Sequence, residues 1–338
     1  MQEHVIAAVV CSLVAFFAVF CILPPLIQRL TKHNWVVKDV NRVGGAMIPR
    51  PGGPAILAGI ILGEVSLYFL FPAETQITKQ LTAIIVTTSL AFAVGFIDDR
   101  RVMGGWFKPL ALAGAAAPII LLGVYEPNLS FPLFGTVKIP ALYLGVIIFM
   151  IPITGNTINS IDVMNGIASG FMVIASSSLT VALFVLQHYQ TAIMALPLVF
   201  ASVAFYRYHK FPSKIFPGDS GALTLGAAYG TIAIIGHVEV VAAVALLPAV
   251  INSFLFLSSV KKIVEHRQIK GPTVHTEDHK IMASKDAEAP ITLVRLLVAS
   301  KPLSEKEIGF AIFRLAVFSG ILAVITAFLT GVQLWPNL

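Results

Sequence analysis

Residues 81–100 read LTAIIVTTSLAFAVGFIDDR, a mostly apolar run that ends in Asp98, Asp99 and Arg100. A helix of about 20 such residues spans the ~30 Å hydrocarbon core of a bilayer. Carboxylates at the edge of such a span are costly to keep, so the acid pair is interpreted as functional. This stretch therefore predicts a transmembrane helix and a polar site at one membrane surface.

The composition of the whole chain agrees with a membrane protein. Of its 338 residues, 57% are hydrophobic and 12% are charged, and the mean hydropathy is +0.86. Soluble domains are typically about 45–50% apolar and about 25% charged. We therefore predict an all-α integral membrane protein with a single polytopic domain over residues 1–338. The basic pI of 9.3 is attributed to cytoplasmic loops and not to nucleic-acid binding.

The apolar runs predict about ten transmembrane helices, with prolines that kink these helices without breaking them. Ten crossings place both termini on one side of the membrane. The five segments on the other side contain 20 of the 23 Lys and Arg residues, an asymmetry typical of cytoplasmic loops. The predicted spans are 4–24, 54–71, 80–97, 107–124, 140–155, 164–187, 190–206, 220–236, 238–258 and 308–332. The predicted cytoplasmic segments are 25–53, 98–108, 156–163, 207–219 and 259–307. The prolines are Pro24, Pro118, Pro152, Pro197 and Pro248.

Two acidic motifs lie on this cytoplasmic side. Asp98 and Asp99 can bind a divalent cation together, or one can accept a proton while the other binds or orients a substrate. Alternatively, they are an acidic helix end beside Arg100, although acids at a helix C-terminus oppose the macrodipole. Asp219 opens a later span, where it is either an N-cap or a metal ligand next to a helix start that could bind phosphate.

A third polar motif contains Asn156, Asn159, Asp162 and Asn165, spaced by three residues. On a helix this spacing predicts one polar face. Its amides could ligate Mg²⁺ or hydrogen-bond a base, or they could make interhelical polar contacts. Basic residues on the same side are candidates for phosphate binding or simply snorkelling side chains: Arg50, Lys108, Lys210, Lys214, Lys280 and Arg295.

These residue types together indicate a nucleotide sugar as substrate, because acids suit Mg²⁺, cations suit a diphosphate and amides suit a base. A site at the membrane edge implies a lipid co-substrate, and phosphoryl transfer needs mainly positioning and charge neutralisation. The alternative function is a secondary transporter, which would place polar residues near the bilayer midplane in paired halves. A CDP-alcohol phosphotransferase is a second alternative, but its Asp-Gly-x-x-Ala-Arg signature is absent.

The ordered motifs resemble the polyprenyl-phosphate N-acetylhexosamine-1-phosphate transferases, and in particular their archaeal and eukaryotic dolichyl-phosphate branch. The resemblance covers most of the chain. It rests on Ile48-Pro49-x-x-Gly52-Gly53, Asp98-Asp99, Asn156-x-x-Asn159 with Asn165-Gly166, and Phe216-Pro217-Gly218-Asp219-Ser220.

The resemblance implies a role for each matching residue. Asp98 would be the base for the lipid phosphate, with Asp99 assisting phosphate or metal. Asn159 and Asp219 would be Mg²⁺ ligands, and Asn165 a uracil contact. The remaining expectations are that Asn156 and Asp162 help to bind the nucleotide, and that Lys108, Lys280 and Arg295 bind phosphate.

The resemblance also implies a reaction and its partners. The enzyme would transfer GlcNAc-1-phosphate from a UDP-sugar to polyprenyl or dolichyl phosphate and release UMP, with Mg²⁺ or Mn²⁺ as cofactor. Membrane lipid and a second copy of the chain, as a homodimer, are further expected partners. The chain departs from the family at two places: His275 and His279 replace a denser bacterial histidine cluster, and Arg50 stands where the eukaryotic motif has an acid.

Overall fold

The computed structural model describes residues 2–41, 44–71, 75–101, 103–104, 106–261 and 270–332. Thirteen helices and three two-stranded antiparallel sheets are found in these residues. The helices are α1 (Gln2–Lys32), α2 (Gly53–Leu70), α3 (Thr75–Arg100), α4 (Phe107–Ala115), α5 (Ala117–Leu122), α6 (Pro140–Ile161), α7 (Ile167–Val185), α8 (Tyr189–His209), α9 (Gly218–Ile235), α10 (Glu239–Ala245), α11 (Leu247–Val260), α12 (Leu293–Leu297) and α13 (Glu305–Thr330). The strands are β1 (Val36–Lys38), β2 (Met47–Pro49), β3 (Asn128–Phe131), β4 (Gly135–Lys138), β5 (Thr273–His275) and β6 (Ile281–Ala283).

The all-α membrane fold is confirmed, and the number of spans agrees roughly with the prediction. In the described residues, seven helices are long and apolar enough to cross a membrane, and the bent pair α10 and α11 makes an eighth if it is counted as one span. The seven are α1, α2, α3, α6, α7, α8 and α13. The two other predicted spans correspond to the broken pair α4 and α5 and to α9.

Helix α9 is the centre of the bundle. It packs against α2, α3, α6 and α8, and every one of its residues except Asp219 is buried. Small residues allow this close packing: a Cβ added at Gly226 would lie 2.4 Å from the carbonyl oxygen of Thr154 on α6. Because protein surrounds α9 on all sides, it can be less apolar than a helix that faces lipid.

The prolines have two different effects. Pro24, Pro152 and Pro197 lie inside continuous helices, as predicted. Pro118 and Pro248 instead lie where one helix ends and the next begins, and the axis bends by 75° between α10 and α11. The prediction of kinks without breaks is therefore wrong at these two positions, because a proline removes a backbone hydrogen bond and clashes with the preceding turn.

Helix α1 is longer than predicted, since it runs to Lys32 through part of the segment 25–53. Three elements lie at the same end of the bundle as the start of α9. They are the β1–β2 hairpin, the β5–β6 hairpin and α12. The β3–β4 hairpin lies at the opposite end. Residues 42–43, 102, 105 and 262–269 of the predicted loops lie outside the described residues.

Candidate active site

Three acids and two cations meet where α3 ends and α9 begins. Asp98 and Asp99 come from the last turn of α3, and Asp219 comes from the first turn of α9. Lys108 comes from the first turn of α4, and Arg50 from the segment between β2 and α2. Gly95 makes this meeting possible, because a Cβ there would lie 2.6 Å from the backbone of Asp219 and Ser220. The two helix ends are therefore in direct backbone contact.

Asp99 is the cap of α9. Its Oδ1 accepts a hydrogen bond from the backbone N–H of Asp219 at 2.9 Å, and its Oδ2 accepts one from that of Ser220 at 3.0 Å. Arg50 adds a third contact at 2.7 Å, and the Asp99 side chain is only 3% exposed. A carboxylate at a helix N-terminus satisfies free amides and interacts favourably with the helix dipole. The amides that the sequence offered to a phosphate are thus already bound by Asp99.

This role of Asp99 leads to a prediction about stability. Asp99→Ala should lower the thermal stability clearly more than Asp98→Ala, because only the first leaves two buried N–H groups of α9 without acceptors. Losing a cap typically costs about 0.5–2 kcal/mol, and loss of the contact between Arg50 and Asp99 would add to that. The measurement is the melting temperature of each variant in the same detergent. Equal destabilisation by the two substitutions would contradict the capping role.

Asp98 and Asp219 share a common cation. The Lys108 Nζ lies 2.5 Å from Oδ2 of Asp98 and 2.7 Å from Oδ2 of Asp219. The Asp98 Oδ1 also accepts a hydrogen bond from the backbone N–H of Met103 at 2.8 Å. Asp219 binds Arg50 at 2.9 Å through its other oxygen. Each carboxylate oxygen of Asp219 therefore has its own cation.

A cavity of about 460 Å³ opens beside these groups. Asp98, Lys108, Arg50 and Asp219 form one part of its wall. The other part comes from the β1–β2 hairpin and from the α6–α7 connection: Val37, Lys38, Asp39, Val40, Asn41, Asn159, Ser160, Asp162, Val163, Met164 and Asn165. The cavity thus joins a charged part to a part that is richer in amides and apolar side chains.

The donor set in this cavity fits a hard divalent cation. Asp98 and Asp219 approach each other closely enough to share Lys108, and Asn159 lines the same cavity. Within the described residues there is no cluster of three or more His, Cys, Asp or Glu side chains arranged for a metal. Mg²⁺ does not need one, since it typically uses one or two carboxylates, waters and substrate phosphates. Asp98, Asn159 and Asp219 could supply the protein's share.

The polar motif of Asn156, Asn159, Asp162 and Asn165 does not form one helix face. Asn156 and Asn159 lie on α6, but α6 ends at Ile161, so Asp162 is its C-cap and Asn165 precedes α7. Asn156 donates to the carbonyl of Pro152 in its own helix and does not line the cavity. The prediction of a single face is wrong because the helix stops before the pattern does.

Asn165 is held firmly by protein groups. Its side-chain NH₂ donates to Glu305 at 2.6 Å and to Asp39 at 3.1 Å, and its side-chain oxygen accepts from the N–H of Ser213 at 2.9 Å. It thereby ties together the β1–β2 hairpin, the start of α13 and the segment before α9. Contact with uracil remains a prediction. Asp39 and Glu305 could not be identified from the sequence, because neither lies in a spaced motif.

Asp162 is a buried acid beside the cavity. Burial raises its pKa to about 7, although Arg50 and the N–H of Ala168 favour the charged form. A carboxyl group in an unfolded chain loses its proton near pH 4. Because the folded protein keeps the proton up to about pH 7, the contribution of Asp162 to stability falls as the pH rises from about 4 to about 7.

Asp162→Asn should therefore raise the melting temperature relative to the wild type more at about pH 8 than at about pH 5. Asp278→Asn, at an exposed position in the β5–β6 hairpin, is the matched control and should show no such trend. A difference independent of pH would mean that Asp162 is already ionised in the folded protein.

Lys280 and Arg295 lie away from the cavity wall. Lys280 is in the β5–β6 turn, where its backbone bonds to Thr276. The Arg295 guanidinium donates to backbone carbonyls of its own loop, those of Ser284, Asp286, Ala289 and Pro290. Arg295 therefore stabilises its own loop, and its phosphate contact stays a prediction.

Arg295→Ala should make residues 270–300 more sensitive to protease, by about tenfold or more, because four carbonyls lose their donor. The Michaelis constant for the predicted nucleotide-sugar substrate should change much less. Lys285→Ala removes an exposed charge from the same loop and is the matched control. A large rise in the Michaelis constant without any change in proteolysis would restore the phosphate-binding role.

Comparison with known proteins agrees with this arrangement. A family model described as glycosyl transferase family 4 matches residues 81–237, which include Asp98, Asn159 and Asp219. A protein of Saccharolobus solfataricus, assigned as a UDP-N-acetylglucosamine–dolichyl-phosphate N-acetylglucosaminephosphotransferase, is 27% identical over 327 residues, or 95% of this chain and 97% of that protein. Residues 81–237 of the chain match glycosyl transferase family 4.

Other similar proteins match different shares of the chain. A Bacillus subtilis protein assigned as an undecaprenyl-phosphate N-acetylglucosaminyl 1-phosphate transferase is 27% identical, and the match covers 96% of this chain and 94% of that protein. The phospho-N-acetylmuramoyl-pentapeptide-transferase of Thermodesulfovibrio yellowstonii is also 27% identical, but over 68% of this chain and 72% of its own. The resemblance inferred from the motifs is thus confirmed at the level of the family.

Proposed function

We propose that this protein transfers GlcNAc-1-phosphate from UDP-GlcNAc to a polyprenyl phosphate, with dolichyl phosphate as the first candidate, and releases UMP. The observation that carries the proposal is the cavity where α3 ends and α9 begins, and where Asp98 and Asp219 share Lys108. The assignments of the two relatives name a dolichyl phosphate and an undecaprenyl phosphate as the lipid. The cavity lies at the end of apolar helices, where a lipid phosphate and a nucleotide can meet.

The reaction forms one bond and breaks one. An oxygen of the lipid phosphate bonds to the β-phosphorus of the UDP-sugar, and the bond from that phosphorus to the bridging oxygen breaks. UMP leaves with the bonding electron pair, and the sugar diphosphate remains on the lipid. Such transfers depend on positioning and on neutralising phosphate charge more than on covalent chemistry by the protein.

Each residue of the charged wall has a role in this scheme. Asp98 accepts the proton of a singly protonated lipid phosphate, and Lys108 beside it holds that phosphate. Arg50 faces the same cavity and is placed to contact the diphosphate. Asp219 and Asn159 would hold Mg²⁺, which when bound supplies charge neutralisation at the phosphates. The amide-rich part of the cavity, with Asn165, would receive the nucleoside.

The proposed site faces the cytoplasm, and both termini lie on the other side. This orientation rests on the 20 of 23 Lys and Arg residues in the five predicted cytoplasmic segments. It is also where a soluble nucleotide sugar is available. Labelling of cysteines introduced at Lys210 and at Lys138 from either side of sealed vesicles would test it, since the two positions lie at opposite ends of the bundle.

The proposed activity can be tested with membranes that contain this protein, Mg²⁺, labelled UDP-GlcNAc and either dolichyl or undecaprenyl phosphate. We expect UMP and labelled lipid in equal amounts, both lost with EDTA and in Asp98→Asn. Asp278→Asn is the control with the same change in charge at an exposed site. UMP without labelled lipid would indicate hydrolysis. If a folded protein forms neither product with any UDP-sugar, the proposed enzymatic activity is wrong and a transporter is favoured.

A further inference from the structure

One nitrogen of Arg50 binds two acids of the site at once. Its Nη2 lies 2.7 Å from Oδ1 of Asp99 and 2.9 Å from Oδ1 of Asp219. The backbone of Arg50 is fixed separately, since its N–H donates to the carbonyl of Trp35 at 3.0 Å. Arg50 is also a cavity-lining residue, and its side chain is 28% exposed. The guanidinium therefore has room to move while its backbone stays in place.

The two acids differ in how easily they can give up Arg50. Asp99 is held by two backbone N–H groups of α9 and is almost fully buried, so its contact with Arg50 is part of the helix packing. The cationic partners of Asp219 among the described residues are only Arg50 and Lys108, and its side chain is 20% exposed. The contact between Arg50 and Asp219 is thus the exchangeable one.

The charges of the site indicate how a divalent cation would affect the contact between Arg50 and Asp219. Asp98, Asp99 and Asp219 against Arg50 and Lys108 leave one net negative charge. A divalent cation at Asp219 would reverse that sign and place two positive charges near the guanidinium. Like charges at such short range repel strongly in a partly buried site. The carboxylate of Asp219 cannot serve both cations equally well.

We infer that Arg50 is the resident counter-ion of Asp219, that it competes with a divalent cation for this carboxylate, and that it turns to the donor's diphosphate when it is displaced. This inference rests on the proposed function and deepens it. The guanidinium keeps its contact with Asp99 as a pivot. Among the described residues its hydrogen bonds use only Nη2, which leaves Nε and Nη1 for phosphate oxygens.

The exchange couples two binding events. A divalent cation frees Arg50 for the diphosphate, and a diphosphate that holds Arg50 frees Asp219 for the cation. By linkage each ligand must then raise the affinity for the other by the same factor. Without Arg50 the cation should bind more tightly on its own, and much of the coupling should disappear. If Arg50 had only a structural role, its replacement would lower the affinity for both the cation and the diphosphate.

The test is Mn²⁺ binding to the purified protein in detergent, followed by electron paramagnetic resonance, with and without UDP-GlcNAc and without lipid acceptor. Arg50→Gln should bind Mn²⁺ about tenfold more tightly than the wild type when no nucleotide is present, as expected for a typical coupling energy. UDP-GlcNAc should raise the Mn²⁺ affinity of the wild type by about tenfold and that of Arg50→Gln by less than about threefold.

Three further variants make the result interpretable. Arg101→Gln removes a charge two residues after Asp99, at a side chain that makes no ion pair within the described residues, and should leave Mn²⁺ affinity unchanged. Asp219→Asn should abolish the site and so identify where Mn²⁺ binds. Arg50→Lys is the replacement variant for this test if Arg50→Gln does not fold. Its single ammonium group cannot reach both acids as well, so it should tighten Mn²⁺ binding about threefold.

Unchanged or weaker Mn²⁺ binding by a folded Arg50→Gln or Arg50→Lys would overturn the inference. So would the lack of any Mn²⁺ site that depends on Asp219. Because no lipid acceptor and no turnover are involved, this result is independent of the transfer assay. Absence of transfer with normal Mn²⁺ exchange would remove the proposed reaction and leave the role of Arg50 intact.

Discussion

Asp219→Asn should reduce the transfer rate by about a thousandfold or more while the protein remains folded. Asn fills the same space, and the cap of α9 comes from Asp99, so the helix start should persist. What is lost is the negative charge that each of Arg50 and Lys108 contacts. Both cations would then be misplaced for the phosphates, and a divalent cation would lose a charged ligand. Single groups that stabilise transition-state charge commonly contribute about 10²–10³-fold, and a metal ligand adds to this.

The measurement is the initial rate of lipid-linked product at saturating UDP-GlcNAc, together with the melting temperature. Asp278→Asn again provides the same change in formal charge far from the cavity. A rate within about tenfold of the wild type, in a folded Asp219→Asn, would show that Asp219 is not part of the catalytic site.

Gly95→Ala should lower the rate by about a hundredfold, although Gly95 touches no substrate. A Cβ at this position would lie 2.6 Å from the carbonyl oxygen of Asp219 and from the backbone of Ser220. The end of α3 and the start of α9 must then separate, and they carry Asp98 and Asp219 with them. A displacement of about 1 Å at a catalytic geometry can cost about 10²-fold in rate. Loss of the two hydrogen bonds to Asp99 should also lower the melting temperature.

Gly145→Ala is the control for this substitution. Gly145 lies on α6, and a Cβ there would have no heavy atom within 4 Å. It should leave activity unchanged and slightly favour the helix. Equal rates for Gly95→Ala and the wild type would mean that the two helix ends can move apart without harm, and that the contact at Gly95 does not set the geometry.

The sequence was most informative about elements that depend on local pattern. Apolar length located the helical spans, and the basic segments indicated one end of the bundle. Paired acids at the end of an apolar run identified the part of the chain that forms the charged wall of the cavity. These features can be predicted because the cost of placing charge or free backbone in lipid applies to each segment separately.

The different roles of Asp98 and Asp99 could not be predicted in the same way. Adjacent residues on a helix point about 100° apart, so only the position of a neighbouring helix decides which acid caps it. The same limit applies to Asn165 and Arg295. Their partners, such as Asp39, Glu305 and the carbonyls near position 286, are separated from them in sequence or belong to a loop without periodicity. Tertiary packing assigned these roles.

The burial of α9 also has a consequence for how the protein is made. The helices that surround it most closely, α2, α3, α6 and α8, all precede it in the chain. A ribosome therefore completes the enclosing wall before α9 emerges. A segment with several small and polar residues has a less favourable free energy of transfer into lipid than its neighbours have. Helix α9 can instead pack against helices that are already in the membrane. The helices that bury α9 are therefore synthesised before α9 itself.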